Sequence, residues 1–178
     1  PTPTLYLFGA GHVGLVTEKA ARAAGWKTVV IDDRPEFANA ARFPDASEVL
    51  STSFEDSMAA LAPNGRSAIF IATRCHELDG KVLHWALGTR AGYIGMIGSK
   101  RKVTTVLAKL QSDGIGAEQF DRVHAPVGLD IGAETDLQRF RGHQRVVAIL
   151  IAGKRGAVHD QALRIGAADF GGAAHQAF

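Results

Sequence analysis

The sequence predicts an α/β fold: a doubly wound, mostly parallel sheet with helices on both faces, forming a single domain. Two observations carry this prediction. Short apolar runs typical of buried strands alternate with segments of helical period along most of the 178-residue chain. A glycine-rich loop, GAGHVG at residues 9–14, lies between the first strand and the first helix, and two acidic residues follow the second strand. This combination is typical of Rossmann-like dinucleotide-binding domains.

The first strand, the first helix and the second strand are predicted near the N-terminus. Residues 4–8 are a short apolar run rich in β-formers, which indicates a buried strand. A helical period begins at residue 13, and Gly25 stands where a glycine after a helix C-terminus is expected. The face of this helix that we expect to pack inward carries Val13, Val16, Ala20 and Ala24. Residues 28–31 predict a second buried strand, parallel to the first.

The alternation continues to residue 124. Further strands are predicted at residues 48–50, 67–72, 93–97 and 122–124. Helices are predicted at residues 53–61, around Leu78, Val82, Leu83 and Ala86, and at residues 99–111. The pattern is less regular afterwards. We therefore divide the chain into a dinucleotide-binding-type domain at residues 1–135 and a C-terminal helix and tail at residues 136–178.

The composition is that of an ordinary globular protein. Hydrophobic residues make up 46% and charged residues 21%, and the formal net charge of +2 gives no broad positive field that would indicate nucleic-acid binding. No apolar run reaches the roughly 18 residues of a membrane span, and the N-terminus lacks a signal-peptide pattern. The single cysteine, Cys75, permits no internal disulfide. We expect a soluble, cytoplasmic protein.

The glycine loop is the strongest candidate ligand site. Gly9 permits a tight turn, Gly11 lets a pyrophosphate approach the backbone, and Gly14 lets the helix pack closely on the strand. His12 and Val13 begin the helix, whose N-terminal amides attract an anion, and we expect His12 to contact the ligand. The alternative is a glycine turn that only connects the strand to the helix.

The residues that follow the second strand favour a ribose. Asp32, 18 positions after Gly14, or its neighbour Asp33 is predicted to accept hydrogen bonds from a ribose diol. Adjacent acids would repel a 2′-phosphate, so a plain diol is favoured. Arg34 weakens this preference, because an arginine at this position can bind a phosphate.

A basic segment follows the strand at residues 93–97, at the edge of the sheet where ligands bind in open α/β folds. After Gly98, Ser99 is predicted to cap a helix, and Lys100 and Arg101 are predicted to meet a phosphate. Cations at a helix start oppose the helix dipole, which favours an anion site over a solvated basic turn.

A second segment at the same edge follows the strand at residues 67–72 and supplies Thr73 and His76 as candidate ligand contacts. Cys75, His76 and Asp79 could form a zinc site, but the cluster is sparse and we assign no metal site. No nucleophile stands in a catalytic arrangement, so no catalytic residue is assigned.

Four motifs resemble the xanthine dehydrogenase accessory protein family (XdhC/CoxI-like). They are FGAGHVG at residues 8–14, DDRPEF at 32–37, YIGMIGSKRK at 93–102 and HAPVGLDIGAET at 124–135. TRCHELD at residues 73–79 is similar to the segment after the family's fourth strand. The resemblance covers roughly residues 5–135 and corresponds to the family's C-terminal Rossmann domain. The chain starts at the first Rossmann strand, so we expect the family's N-terminal domain to be absent or supplied by a separate chain, and the family pattern is lost after Thr135.

The resemblance implies a maturation factor for molybdenum hydroxylases. Such a protein binds the molybdenum cofactor, as molybdopterin or its cytosine dinucleotide, protects it during sulfuration and delivers it to the apo-enzyme. The implied partners are an apo molybdenum hydroxylase and a sulfurtransferase, and a homodimer stays open. Gly128 and Asp130 belong to a loop that borders the family's pocket, and Cys75 could be a sulfur ligand to molybdenum.

Two other functions are compatible with the same fold. One is an NAD(P)-dependent oxidoreductase, and the other is a regulatory domain that changes shape on NAD binding. A dehydrogenase of this architecture normally needs a substrate domain or a long insertion. Only about 40 poorly patterned residues follow Gly132, which favours a carrier or a sensor.

Overall fold

The computed structural model of the chain describes residues 2–127. Its elements are, in chain order, β1 Thr4–Phe8, α1 His12–Ala23, β2 Lys27–Ile31, β3 Glu48–Leu50, α2 Phe54–Ala60, β4 Ser67–Ile71, α3 His76–Gly88, β5 Tyr93–Met96, α4 Lys100–Ser112, a 3₁₀ helix Ala117–Arg122 and β6 Val123–His124. The predicted C-terminal helix and tail lie outside the described residues. No helix within this part of the chain is long and apolar enough to cross a membrane.

The six strands form one parallel sheet in the order β3-β2-β1-β4-β5-β6. This is the order of a doubly wound Rossmann sheet, which confirms the predicted fold class. The order reverses between β1 and β4, so the loops after these two strands flank a crevice at the carboxyl edge. The glycine loop follows β1 and therefore lies at this crevice.

The helices cover the two faces of the sheet. Phe8, Ile71 and Met96 pack in one cluster with apolar residues of α3 and α4. Leu7 points to the opposite face because side chains alternate along a strand, and there it lies beside Gly14 of α1. The sheet is thus held between α1 on one face and α3 and α4 on the other.

The buried face of α1 differs from the predicted one. Ala20 is buried as expected, but Val13 and Val16 are only partly buried, and the inward face carries Gly14, Thr17, Glu18, Ala20 and Ala21. Close packing of Gly14 on the glycine loop sets the rotation of the helix. The same rotation buries Glu18, whose Oε1 accepts a hydrogen bond of 3.0 Å from Thr28 Oγ1.

Glu18→Gln is expected to change how stability depends on pH. Burial raises the pKa of Glu18 above its ordinary value, against the lowering effects of Thr28 and Arg22. The folded state therefore holds this proton more tightly than the unfolded state, and stability falls as pH rises through the folded pKa. Glutamine has no such proton, so the melting temperature of Glu18→Gln should rise relative to the native protein as the pH increases from the ordinary glutamate value of 4.5 through the raised pKa of Glu18. Glu36→Gln, which removes the same charge from an exposed position, is the control. Parallel pH profiles of the native protein and Glu18→Gln would contradict the expectation.

Candidate functional site

The three glycines of the loop have different surroundings. Gly9 has a φ of +113°, and a Cβ built there would lie 2.1 Å from the carbonyl oxygen of Ala72. A Cβ at Gly14 would lie 2.1 Å from the carbonyl oxygen of Gly9, whereas a Cβ at Gly11 would meet no atom within 4 Å. Gly9 and Gly14 are therefore required by packing, and Gly11 faces open space beside the loop.

Helix α1 presents its N-terminus to that space. Gly11 is the N-cap residue, no side chain caps the helix, and the first turn holds no acidic residue. The first amides of an α-helix have no partner within the helix, and together with the helix dipole they favour an anion. By contrast, Ser53 caps α2, and the first turns of α2 and α3 carry acidic residues. His12 is exposed and Val13 is half-buried at the start of α1.

Asp32 anchors the glycine loop to the end of β2. Its carboxylate is buried and accepts a 2.9 Å hydrogen bond from the amide of Ala10. The Arg34 side chain donates two more, at 2.8 and 2.9 Å, and the Arg34 amide a fourth at 3.2 Å. These four bonds engage both oxygens of Asp32. Of the two acids predicted to meet a ribose diol, Asp33 is the more accessible one.

Asp33 forms an ion pair with Arg74, a residue that the sequence did not single out. Two guanidinium nitrogens of Arg74 contact the carboxylate, one of them at 2.8 Å, and the hydrogen bond from Arg74 lowers the pKa of Asp33. Asp33 follows β2 and Arg74 follows β4, which are the two neighbours of β1 in the sheet. The pair therefore links the two sides of the crevice.

A second arginine missed by the sequence reasoning, Arg42, reaches the glycine loop from the irregular segment between β2 and β3. Its Nη2 donates a 3.2 Å hydrogen bond to the carbonyl of Ala10. The guanidinium carbon lies 5.3 Å from the ring centroid of Phe37, and that of Arg34 lies 3.9 Å from the same centroid. Two arginines thus converge on one aromatic ring next to the loop.

Thr73 and Asp79 fix the opposite side of the crevice. Asp79 is fully buried, and its Oδ1 accepts hydrogen bonds from the amide (3.0 Å) and the hydroxyl (2.6 Å) of Thr73. Its Oδ2 forms an ion pair with Lys102. Asp79 is therefore bonded to Thr73 and Lys102, while His76 is exposed and contacts Glu77 at 3.0 Å.

Within residues 2–127, no group of three histidine, cysteine, aspartate or glutamate side chains could hold a metal ion. Cys75 is a free, partly buried thiol at the start of α3.

Ser99 caps α4 as predicted, since its hydroxyl accepts a 3.2 Å hydrogen bond from the amide of Lys102. Lys100 and Arg101 are exposed in the first turn, whereas Lys102 is partly buried and lies against Gly98, at which a Cβ would be 3.0 Å from Lys102 Cδ. Of these three cations, Lys102 is thus the one that is partly buried and paired with Asp79. Gly128 and Asp130 lie outside the described residues.

Lys102→Met is expected to destabilise the protein by about 2 kcal/mol, because it leaves the buried Asp79 carboxylate without a counter-charge. The expected loss of stability is smaller than for a fully buried ion pair, since the Lys102 side chain is 26% exposed. Asp79→Asn in the Lys102→Met background should recover part of the loss. Urea denaturation measures the free energy of unfolding of the single and the double variant. The control is Lys100→Met, which removes an exposed cation from the same turn. Equal stability of Lys102→Met and Lys100→Met would refute the role of this pair.

The fold and the site together define a Rossmann-like α/β domain, with an uncapped helix N-terminus at its glycine loop. Residues 5–138, well over half of the chain, match the XdhC Rossmann domain family. The chain belongs to this family, and the resemblance seen in the four sequence motifs is confirmed.

Named relatives are longer than this chain. This chain is 34% identical over 134 residues to the uncharacterized protein YqeB of Escherichia coli K12. The match covers 75% of this chain and 24% of YqeB. It is 28% identical over 134 residues to a probable xanthine dehydrogenase subunit of Bacillus subtilis 168, covering 75% of this chain and 38% of that protein. A crystal structure of a xanthine dehydrogenase from Bacillus halodurans superposes with a TM-score of 0.67 at 29% identity, covering 93% of this chain and 44% of that one. The chain thus spans less than half the length of each.

Proposed function

We propose that this chain is the cofactor-binding domain of an accessory protein for a molybdenum hydroxylase. It binds the molybdenum cofactor, as molybdopterin or its cytosine dinucleotide, at the glycine loop and delivers it to the apo-enzyme. The observation that carries the proposal is the uncapped N-terminus of α1 beside Gly11, where the backbone is open to a phosphate. Membership of the XdhC Rossmann domain family and similarity to proteins named for xanthine dehydrogenase support it.

The described residues fit the phosphate-bearing part of this cofactor. The amides that follow Gly11 would hold a phosphate or pyrophosphate, and Asp33 would meet the ribose of the dinucleotide form. Lys100 and Arg101 remain predicted phosphate contacts at the start of α4. Molybdopterin supplies its own sulfur ligands to molybdenum, so binding does not require a protein metal cluster.

The alternative functions, an NAD(P)-dependent oxidoreductase and an NAD-binding regulatory domain, would bind their ligand at the same loop. They differ from a carrier in what the protein does with the bound ligand. A carrier holds a cofactor and releases it to a partner, and in the proposed pathway a sulfurtransferase acts on the bound cofactor before release. An NAD(P)-dependent oxidoreductase would instead transfer a hydride to a substrate. Transfer to an apo-enzyme therefore distinguishes the two classes of function.

The test is a reconstitution with apo xanthine dehydrogenase. The chain, loaded with sulfurated molybdenum cofactor, is separated from free cofactor and mixed with the apo-enzyme. Recovery of xanthine oxidation is expected, and the same chain carrying Gly11→Glu should give none. Failure of the loaded native chain to activate the apo-enzyme, or sustained NADH oxidation by the chain with simple 2-oxo acids, would argue against a carrier.

A further inference from the structure

We propose that Arg42 supplies the side-chain cation that binds the phosphate of the ligand at the glycine loop. The inference rests on the proposed function, and it names the chemistry of recognition: a phosphate or diphosphate group held by one arginine together with the first turn of α1. Arg42 could not be recognised from the sequence, because it belongs neither to the glycine-loop motif nor to the acidic pair that directly follows β2. It lies in the irregular segment between β2 and β3.

The position of Arg42 is fixed by its contact with the loop. Its Nη2 lies 3.2 Å from the carbonyl oxygen of Ala10, and Ala10 is the fully buried residue between Gly9 and Gly11. The guanidinium group therefore lies against the backbone that precedes the N-terminus of α1. A phosphate held by the α1 amides would lie on the same loop, within reach of an arginine fork.

The charge of Arg42 is not compensated by a carboxylate in the described part of the chain. Asp32 pairs with Arg34 and Asp33 pairs with Arg74, whereas no carboxylate oxygen within residues 2–127 lies within 4.0 Å of the Arg42 nitrogens. Among these five residues, three arginines and two aspartates, one positive charge is in excess. An anionic ligand would balance it.

The Nε of Arg42 is a second observation that points to a ligand. This nitrogen is buried and has no hydrogen-bond partner among residues 2–127, although most buried polar groups in proteins have one. Leaving such a donor unpaired is unfavourable, and a small movement of the Arg42 side chain on binding would let a phosphate oxygen accept its hydrogen bond.

Phe37 keeps two like charges close together. The guanidinium carbons of Arg34 and Arg42 lie 3.9 and 5.3 Å from its ring centroid. Arg34 is already paired with Asp32, so its side chain holds the loop, whereas Arg42 has no paired carboxylate within residues 2–127 and keeps its charge for an anion. This division of roles predicts that Arg42 affects binding.

The test is calorimetric titration with CDP, which represents the nucleotide half of the dinucleotide cofactor, and with inorganic pyrophosphate. Arg42→Gln should weaken binding of both probes about tenfold or more, because a charge-assisted bond to phosphate is lost. Arg42→Lys, which keeps the charge but loses the fork, should fall between the native protein and Arg42→Gln. The loss of affinity in Arg42→Gln should shrink as the salt concentration increases.

Arg90→Gln is the control. It removes an exposed arginine that precedes β5 at the opposite edge of the sheet, and it should bind both probes like the native protein.

The outcomes separate this inference from the proposed function. Equal affinity of the native protein and Arg42→Gln would overturn the role of Arg42 and leave the phosphate site at the glycine loop in place. A loss in Arg42→Gln that is the same at low and high salt would mean that Arg42 only holds the loop in shape, which also overturns the inference. If the native protein bound neither CDP nor pyrophosphate, the proposed function itself would fail, and the inference with it.

Discussion

Gly9→Ala is expected to destabilise the protein by at least about 3 kcal/mol, a large part of the stability of a typical domain. The added Cβ would lie 2.1 Å from the carbonyl oxygen and 2.6 Å from the carbonyl carbon of Ala72, and both atoms belong to the backbone at the end of β4. The φ of +113° adds strain that L-residues with a side chain avoid. Neither β1 nor β4 can shift to relieve the contact, because their hydrogen-bonded register joins them along their whole length.

Urea denaturation measures this loss, and Gly11→Ala is the matched control in the same loop. A Cβ at Gly11 meets no atom within 4 Å, and its φ of −69° is ordinary, so Gly11→Ala should change the free energy of unfolding by less than about 1 kcal/mol. Similar losses for the two variants would show that the packing of Gly9 on β4 is not what the structure describes.

Gly11→Glu is expected to abolish ligand binding and leave the fold intact. The open space at Gly11 admits the side chain, and a carboxylate at the N-terminus of α1 interacts favourably with the helix dipole. The same carboxylate would occupy the place of the phosphate and repel it. Affinity for CDP should fall below detection by calorimetry while the melting temperature stays close to the native value.

Gly65→Glu is the control for this substitution. It adds the same side chain at a glycine whose Cβ also meets no atom within 4 Å, in the turn before β4. Native affinity in Gly65→Glu together with lost affinity in Gly11→Glu would locate the site at the loop. Normal binding of CDP by Gly11→Glu would exclude the loop as the phosphate site.

The sheet could be predicted from the sequence because its signals are local. The apolar run at residues 4–8, the loop that follows it and the helix after the loop are each visible within a few positions. The alternation of strands and helices then predicts a doubly wound parallel sheet, whereas the strand order β3-β2-β1-β4-β5-β6 is known only from the structure. The cap of α4 at Ser99 was predictable for the same reason.

The detailed contacts of the site could not be predicted in this way. The bond from Ala10 to Asp32 spans 22 positions and that from Arg42 to Ala10 spans 32, and no periodicity reports such pairs. The sequence analysis named Lys100 and Arg101 as phosphate contacts, because they stand at the start of α4. It did not predict that the rotation of the helix brings the next residue, Lys102, to the buried Asp79. Which charged side chain of a helix turn faces the sheet depends on packing that a single sequence does not display.

Native mass spectrometry of the protein purified from a molybdenum-replete host tests the central claim most directly. The native chain should carry an additional mass equal to molybdopterin or its cytosine dinucleotide, and Gly11→Glu from the same host should carry none. A native chain that carries NAD or NADP, or that carries no ligand even when molybdenum is abundant, would contradict the claim that the glycine loop holds the molybdenum cofactor.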